Sequence, residues 1–270
     1  MANMPKMKGE AVYHASWYSC TPGFEPVLLR LRSGEIPEDG KARKLINYSS
    51  GKWVYRCQTD GYDFAYKTQE GKKFWRYLVR PSLPLREFRH YRILEELDIP
   101  VPQVLAVGDT RSCFVLRESF LITAFLDDTR DGRVFMPGGP LREGAEELRR
   151  KFCEGHLKLL AKFHDAKYFH KAFHPRNLLF RGGENTPLEL FWIDVARMRK
   201  AGDLRRAVIV DLHTFFRDMR LSRAEVETLV RFYLESVARP CFSSAEEIMD
   251  ELVNFKRSVL TRKVYQLFGD

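Results

Sequence analysis

The chain has 270 residues, of which 44% are hydrophobic and 13% aromatic, enough for a large core in one domain or two joined lobes. Charged residues make up 30% of the chain and the mean hydropathy is −0.36, values that exclude a disordered protein. No apolar run approaches the roughly eighteen residues of a membrane span, and no apolar segment follows the first lysines, so we predict neither a transmembrane helix nor a secretory signal.

The formal net charge of +9 predicts an anionic partner, such as an acidic membrane face or a phosphorylated glycolipid. Nucleic acid is not expected, because no helix-turn-helix, aromatic RNA-binding signature or zinc finger accompanies the charge. The five cysteines are scattered and form no C-x-x-C pair, which argues against a zinc ribbon or a redox motif. They are typical of buried thiols in a cytoplasmic protein.

The first forty residues are polar and interrupted by Pro and Gly, with a short apolar run at Val27-Leu28-Leu29. Strand patterns follow, joined by Ser49-Ser50-Gly51 and by Thr59-Asp60-Gly61, which suit tight antiparallel turns. The predicted strands are 44–48, 52–57 and 63–68. This region therefore begins with an antiparallel sheet.

Phe88, Tyr91, Leu94 and Leu97 recur at intervals of three, which predicts an amphipathic helix over 85–97. Further strands are predicted at 103–107, 113–116 and 119–126. Up to this point the chain is predicted to be a sheet of about five strands carrying one helix.

After Asp128 the pattern becomes mainly helical. A long helix is predicted over 143–167, with Phe152, Leu157, Leu160 and Phe163 on its inner side. Strands are predicted at 178–180 and 190–193, and helices at 207–219, 223–237 and 245–267. The predicted fold class is α+β, with a sheet-rich lobe over 1–126 and a helical lobe over 127–270.

A polar loop after the long helix ends at Asn177, and Asp194 ends the second short strand that follows. Amide and carboxylate oxygens suit a hard cation. Mg²⁺ held in this way could neutralise nucleotide phosphates, so the pair predicts a metal and nucleotide site.

His170-Lys171-Ala172, followed by Asn177, resembles the H-R-D-x-x-x-x-N catalytic loop of kinases, and Ile193-Asp194-Val195 resembles their metal-binding segment. The resemblance implies a bilobal kinase-like fold that binds ATP and Mg²⁺ between its lobes. It also assigns Asn177 and Asp194 as the metal ligands.

The other parts of a kinase follow in the expected order. Lys67 resembles the strand lysine that holds the α- and β-phosphates, and Glu87 resembles its partner on a helix. Thr123-Ala124-Phe125 stands where the hinge to the adenine would lie, and Asp211 resembles the aspartate that supports the catalytic loop.

Within the kinase-like folds the chain resembles the lipopolysaccharide-core kinases that act on Kdo or heptose, over roughly residues 40–235. The segments that carry this resemblance are 80–81, 86–88, 97–102, 119–123, 160–164 and 231–234. It implies ATP-dependent phosphorylation of a lipopolysaccharide sugar, by a cytoplasmic enzyme placed peripherally on the inner membrane.

Two positions depart from the pattern. No G-x-G-x-x-G is present, and Ser49-Ser50-Gly51 is the sole candidate for a phosphate-covering turn. Ala172 occupies the position of the catalytic aspartate, and a methyl group cannot accept the proton of the attacking hydroxyl. We therefore expect nucleotide binding with very slow phosphate transfer.

Three interpretations of the chain stay open at this point, two of them concerning Ala172. The alanine can be an inactivating substitution in an otherwise competent enzyme, since the other catalytic positions are present. The chain can instead be a natural pseudokinase that serves as a nucleotide-binding scaffold. The shared motifs also fit a small-molecule phosphotransferase of the aminoglycoside or choline type.

Other polar residues receive structural interpretations. His170 is expected to pack within its loop, and its spacing of four from His174 does not predict zinc because the segment is not helical. Lys171 and Arg176 are candidates for contact with the acceptor's phosphates or are solvated. Lys256, Arg257, Arg262 and Lys263 would form a basic helix face, either a salt-bridged surface or a membrane-facing patch.

Overall fold

A computed structural model describes residues 14–35, 43–48, 52–70, 81–112, 115–183, 186–255 and 267–268. The chain divides into two compact units. The first comprises residues 1–88 with 103–125, and the second comprises residues 89–102 with 126–270. The division falls inside one helix, α2 (Leu83–Glu96).

The first unit is built on an antiparallel sheet. Among the described residues its six strands have the order β1-β5-β6-β4-β3-β2. The strands are β1 (His14–Cys20), β2 (Arg43–Tyr48), β3 (Lys52–Thr59), β4 (Tyr62–Glu70), β5 (Val104–Ser112) and β6 (Val115–Ala124). β3 and β4 are joined at Asp60 and Gly61, both with positive φ, which confirms the tight turn predicted there.

The first unit also contains α1 (Glu25–Ser33), a helix that the sequence pattern did not predict. Val27, Leu28 and Leu31 lie on one face of it and are buried against the sheet. The helix has proline in its first turn and ends at Gly34, whose left-handed φ of 80° lets its N–H donate to the Arg30 carbonyl. These signals were present in the sequence, but the surrounding polar residues obscured them.

The predicted strands at 113–116 and 119–126 are wrong as two separate strands. From Val115 the chain continues as one strand to Ala124, while residues 113–114 lie outside the described part. The polar pair Arg117-Glu118 interrupts the apolar pattern without breaking the strand, because Glu118 accepts a hydrogen bond from Tyr66 on β4. The turn predicted at 49–51 also lies outside the described residues.

The second unit is mainly helical. Its helices are α3 (Glu146–Asp165), α4 (Leu204–Met219), α5 (Arg223–Ser236) and α6 (Ala245–Asn254). Its short strands are β7 (Arg130–Asp131), β8 (Tyr168–Phe169), β9 (Leu178–Arg181), β10 (Glu189–Trp192) and β11 (Arg199–Lys200). The inner face predicted for α3 is confirmed, since Phe152, Leu157, Leu160 and Phe163 are fully buried.

The last predicted helix, 245–267, is wrong as one continuous helix, because it is interrupted at Phe255. α6 ends at Asn254 because Phe255 takes an extended conformation, with φ −66° and ψ 117°. The four basic residues at 256, 257, 262 and 263 lie outside the described residues. Among the helices that the structure describes, none is both long enough and apolar enough to cross a membrane.

Candidate functional site

Lys67 and Glu87 form an ion pair in the first unit. Lys67 Nζ on β4 lies 2.5 Å from Glu87 Oε1 on α2. The Glu87 side chain is only 7% exposed, whereas the Lys67 side chain is 23% exposed. A buried carboxylate at this distance fixes the position of the ammonium group through a charge-assisted hydrogen bond. The ammonium is therefore held in place while part of the lysine side chain stays accessible to solvent.

A buried network places Glu87 opposite Lys67 by anchoring the start of α2. The Ser82 hydroxyl accepts a hydrogen bond from the Leu85 N–H at 3.3 Å and donates one to Asp109 Oδ1 at 2.7 Å. Its oxygen also lies 2.7 Å from the hydroxyl oxygen of Ser119. Ser82 and Ser119 are fully buried, so this contact with β5 and β6 is shielded from water. The sequence pattern did not predict this network.

The predicted adenine hinge, residues 123–125, lies at the end of β6. Its N–H groups are partly committed, because Ala124 donates to the Gln103 carbonyl at 2.8 Å and Phe125 donates to the Asp63 carbonyl at 3.0 Å. Thr123 is buried within the strand. A purine contact at this segment would therefore have to use groups other than these two N–H donors.

In the second unit, Asp211 on α4 fixes the loop that carries the kinase-like motif. Its carboxylate accepts hydrogen bonds from the N–H of His170 at 2.6 Å and of Lys171 at 2.7 Å. Asp211 is fully buried, and His164 Nε2 lies 3.3 Å from one of its oxygens. Lys171 has a left-handed φ of 62°. The carboxylate stabilises this unusual backbone by satisfying both N–H groups.

The Ala172 carbonyl accepts the two hydrogen bonds that stabilise the middle of the loop. It accepts hydrogen bonds from the His174 N–H at 2.7 Å and from Asn177 Nδ2 at 3.1 Å. Because the amide nitrogen of Asn177 is used in this way, its Oδ1 is the atom left to bind a cation. Lys171 and Arg176 are both exposed beside the turn.

Asp194 lies next to Asn177. The N–H of Ile193, the residue before Asp194, donates to the Asn177 carbonyl at 3.0 Å. Asp194 is exposed and has a left-handed φ of 54°, directly after β10. One amide oxygen and one carboxylate suit Mg²⁺ only when phosphate oxygens and water complete its coordination. The described part of the chain contains no group of three or more His, Cys, Asp or Glu side chains that could hold a metal by themselves.

His170 packs structurally, as the sequence pattern predicted. Its ring is fully buried and makes edge contacts with Phe173 and Trp192, with ring centroids 5.8 and 5.7 Å apart. Burial lowers the pKa of His170 to about 4, although the Asp211 carboxylate opposes this effect. The imidazole is therefore neutral at physiological pH.

The depressed pKa of His170 predicts that acid destabilises the second unit. The unfolded chain takes up a proton near pH 6.5 and the folded chain only near pH 4, so stability falls as pH decreases through this window. The full loss is on the order of 3 kcal/mol. We expect His170→Phe to reduce the pH dependence of the urea-unfolding midpoint measured between pH 7 and 4. An unchanged slope would contradict this assignment, while a residual slope is expected from the similarly buried His156.

One polar pair of the loop was missed by the sequence analysis. His174 Nδ1 lies 2.6 Å from Asp218 Oδ2, and the other oxygen of Asp218 is held by Arg217 at 2.5 Å. Asp218 follows Asp211 by seven residues, two turns along the same face of α4. This spacing was the available signal, but its meaning depends on where the loop crosses the helix.

Comparisons with known proteins show the family and the fold of this chain. A family model described as the lipopolysaccharide kinase (Kdo/WaaP) family matches residues 55–233, more than half of the chain. No relative among the curated proteins matches the sequence. The solved structure of WaaP in complex with acyl carrier protein superposes with a TM-score of 0.63 at 19% identity, covering 87% of this chain and 92% of that chain.

The PknI kinase domain of Mycobacterium tuberculosis is a more distant match. It has a TM-score of 0.42 at 13% identity, and the match covers 78% of this chain and 95% of that chain. The fold is the kinase-like fold, as the superposition with WaaP shows. Because the family model covers most of both units, the chain belongs to the lipopolysaccharide kinase (Kdo/WaaP) family, a family of kinase-like phosphotransferases.

Proposed function

We propose that this chain binds Mg²⁺·ATP and transfers the γ-phosphate to a sugar hydroxyl of a lipopolysaccharide core, at a low rate because position 172 is alanine. The observation that carries this proposal is the loop fixed by Asp211. Within this loop the Asn177 amide nitrogen donates to the Ala172 carbonyl, and the N–H of Ile193, the residue before Asp194, donates to the Asn177 carbonyl, which supports a site shared by Asn177 and Asp194. Family membership supplies the acceptor class.

Each unit contributes one part of the proposed nucleotide chemistry. In the first unit, the Lys67 ammonium held by Glu87 would neutralise the α- and β-phosphates. In the second unit, Asn177 and Asp194 would hold Mg²⁺, which when bound offsets the charge on the phosphate oxygens. Thr123, Ala124 and Phe125 are proposed to line the adenine, through groups other than the two committed N–H donors.

Ala172 is the reason for the low rate in this proposal. In a kinase loop an aspartate at this position orients the attacking hydroxyl and accepts its proton. The alanine side chain has no polar atom and is only 4% exposed. Positioning and charge neutralisation remain, so binding is expected to survive better than transfer.

The acceptor is proposed to be an anionic glycolipid at the cytoplasmic face of the inner membrane. The net charge of +9 favours docking on such a surface. Vesicles with and without lipopolysaccharide, compared at low and high salt, test this part separately. Retention that is equally strong on neutral vesicles would contradict it, because the proposed attraction is electrostatic.

The metal site is tested with Asp194→Asn. We expect the substitution to weaken Mg²⁺-dependent ATP binding roughly 10- to 100-fold, because a charged oxygen ligand is lost. Isothermal titration with and without Mg²⁺ measures the change. Since Asp194 is exposed, we expect little effect on folding.

Asp128→Asn is the matched control. Asp128 is also exposed, also has a left-handed backbone with φ 56°, and belongs to the same unit. Equal weakening by both substitutions would show a general charge effect and contradict the metal site. Absence of ATP binding in the unsubstituted chain would overturn the proposed function as a whole.

A further inference from the structure

His174 is the first side chain after position 172 that carries a hydrogen-bonding group. The backbone N–H of His174 donates to the Ala172 carbonyl at 2.7 Å, so both residues belong to one tight turn. Phe173 between them is fully buried and packs on Trp192 and Phe215, with ring centroids 5.1 and 5.5 Å apart. The hydrophobic core thus fixes the middle of the turn.

Asp218 determines which nitrogen of His174 carries the proton. Burial alone would raise the pKa of Asp218, but hydrogen bonds from His174 and Arg217 outweigh it and hold that pKa below its usual value. The carboxylate is therefore ionised and can only accept hydrogen bonds. It follows that His174 Nδ1 carries the hydrogen in the 2.6 Å contact, so Nε2 is the nitrogen at which the imidazole can accept a proton.

Nε2 is accessible. Within the described residues Nε2 has no hydrogen-bond partner. It is also absent from the set of side-chain nitrogens that are both buried and unpartnered, so it is exposed to solvent. The side chain is 11% exposed. Most of the ring is thus enclosed by the protein, while its basic nitrogen remains open to solvent or to a bound molecule.

We propose that His174 is a catalytic residue of this chain, the acceptor of the hydroxyl proton in place of the aspartate missing at position 172. Asp218 is its positioning residue. This inference rests on the proposed function and concerns how the slow transfer takes place. An oriented imidazole with a carboxylate on Nδ1 is a general arrangement for accepting a proton at Nε2.

The step balances with the reactants already named. The sugar hydroxyl oxygen forms a bond to the γ-phosphorus while the bond from that phosphorus to the β–γ bridging oxygen breaks. ADP leaves with the electron pair of the broken bond. The hydroxyl proton passes to His174 Nε2, and the resulting imidazolium is stabilised by the Asp218 carboxylate until it releases the proton to water.

His174→Asn tests the role with little disturbance of the turn. The asparagine amide can occupy the place of Nδ1–H and still donate to Asp218, but it has no counterpart of Nε2. The substitution is made in the unsubstituted chain and in the Ala172→Asp chain. Phosphate transfer to purified lipopolysaccharide core and the Kd for Mg²⁺·ATP are measured for all four proteins.

We expect His174→Asn to slow transfer roughly 100-fold in the chain with Ala172, with the Kd for ATP unchanged. In the Ala172→Asp background the same substitution should have little effect, because the carboxylate then accepts the proton. A purely structural role would lower transfer by the same factor in both backgrounds, and that result would overturn the proposal.

Asp218→Asn is the second variant. Its amide can donate to Nδ1, which moves the proton to Nε2 and removes the acceptor. We expect a loss of transfer similar to that of His174→Asn, again only with Ala172 present. No measurable transfer by the unsubstituted chain, alongside an active Ala172→Asp protein, would also overturn the role of His174. Failure of every protein to bind ATP would instead overturn the proposed function.

Discussion

Ala172→Asp is expected to raise phosphate transfer to lipopolysaccharide core roughly 10²- to 10⁴-fold. The substitution restores a carboxylate to a loop whose other parts are already placed. Asp211 holds the first two N–H groups of the loop, and Asn177 is fixed by the Ala172 carbonyl. Since these contacts use the backbone of residues 170, 171 and 172, they do not depend on the side chain at position 172.

The measurement is the initial rate of transfer from labelled ATP at saturating Mg²⁺. Ala172→Asn is the matched control, because asparagine has the shape of aspartate but is not a base. A comparable gain from both substitutions would mean that filling the site, not proton acceptance, limits the rate. If the aspartate form binds ATP and transfers no phosphate, the nucleotide-binding scaffold becomes the better interpretation.

Asp211→Asn is expected to destabilise the second unit by roughly 2–5 kcal/mol. The carboxylate of Asp211 accepts from two backbone N–H groups inside the protein. An amide offers one oxygen and presents an NH₂ group to the other donor, so one buried N–H loses its partner. The left-handed Lys171 loses part of its support at the same time.

Hydrogen–deuterium exchange of the peptide over 168–177, together with the urea midpoint, measures this effect. We expect faster exchange at His170 and Lys171. Asp203→Asn is the control, because Asp203 caps the same helix α4 from an exposed position and asparagine caps equally well. Slow exchange that persists in Asp211→Asn would show that the loop is held by other contacts.

The sequence predicted the fold best where periodic patterns are long. The inner face of α3 and the turn at Asp60 and Gly61 could be predicted because each depends on neighbouring residues. α1 was missed because its three buried residues occupy a short segment between polar ones. The break predicted within β6 was wrong because Glu118 keeps cross-strand partners in both β4 and β5, so the polar pair Arg117-Glu118 does not end the strand.

The candidate site shows the same division. The site prediction rests on the order of Lys67, Glu87, Asn177, Asp194 and Asp211 along the chain, which is visible in the sequence alone. The contacts that the structure adds join residues far apart in sequence. Ser82 meets Asp109 across 27 residues, and His174 meets Asp218 across 44.

The sequence by itself determined the kinase-like order of these residues and the alanine at position 172. Only the tertiary structure decided that Ser82 anchors α2 and that Asp218 contacts Nδ1 of His174. The physical reason is that local periodicity determines which face of an element is apolar, whereas a buried polar group takes its partner from whichever element packs against it. For His174 that element is α4, which follows it by thirty residues in the chain.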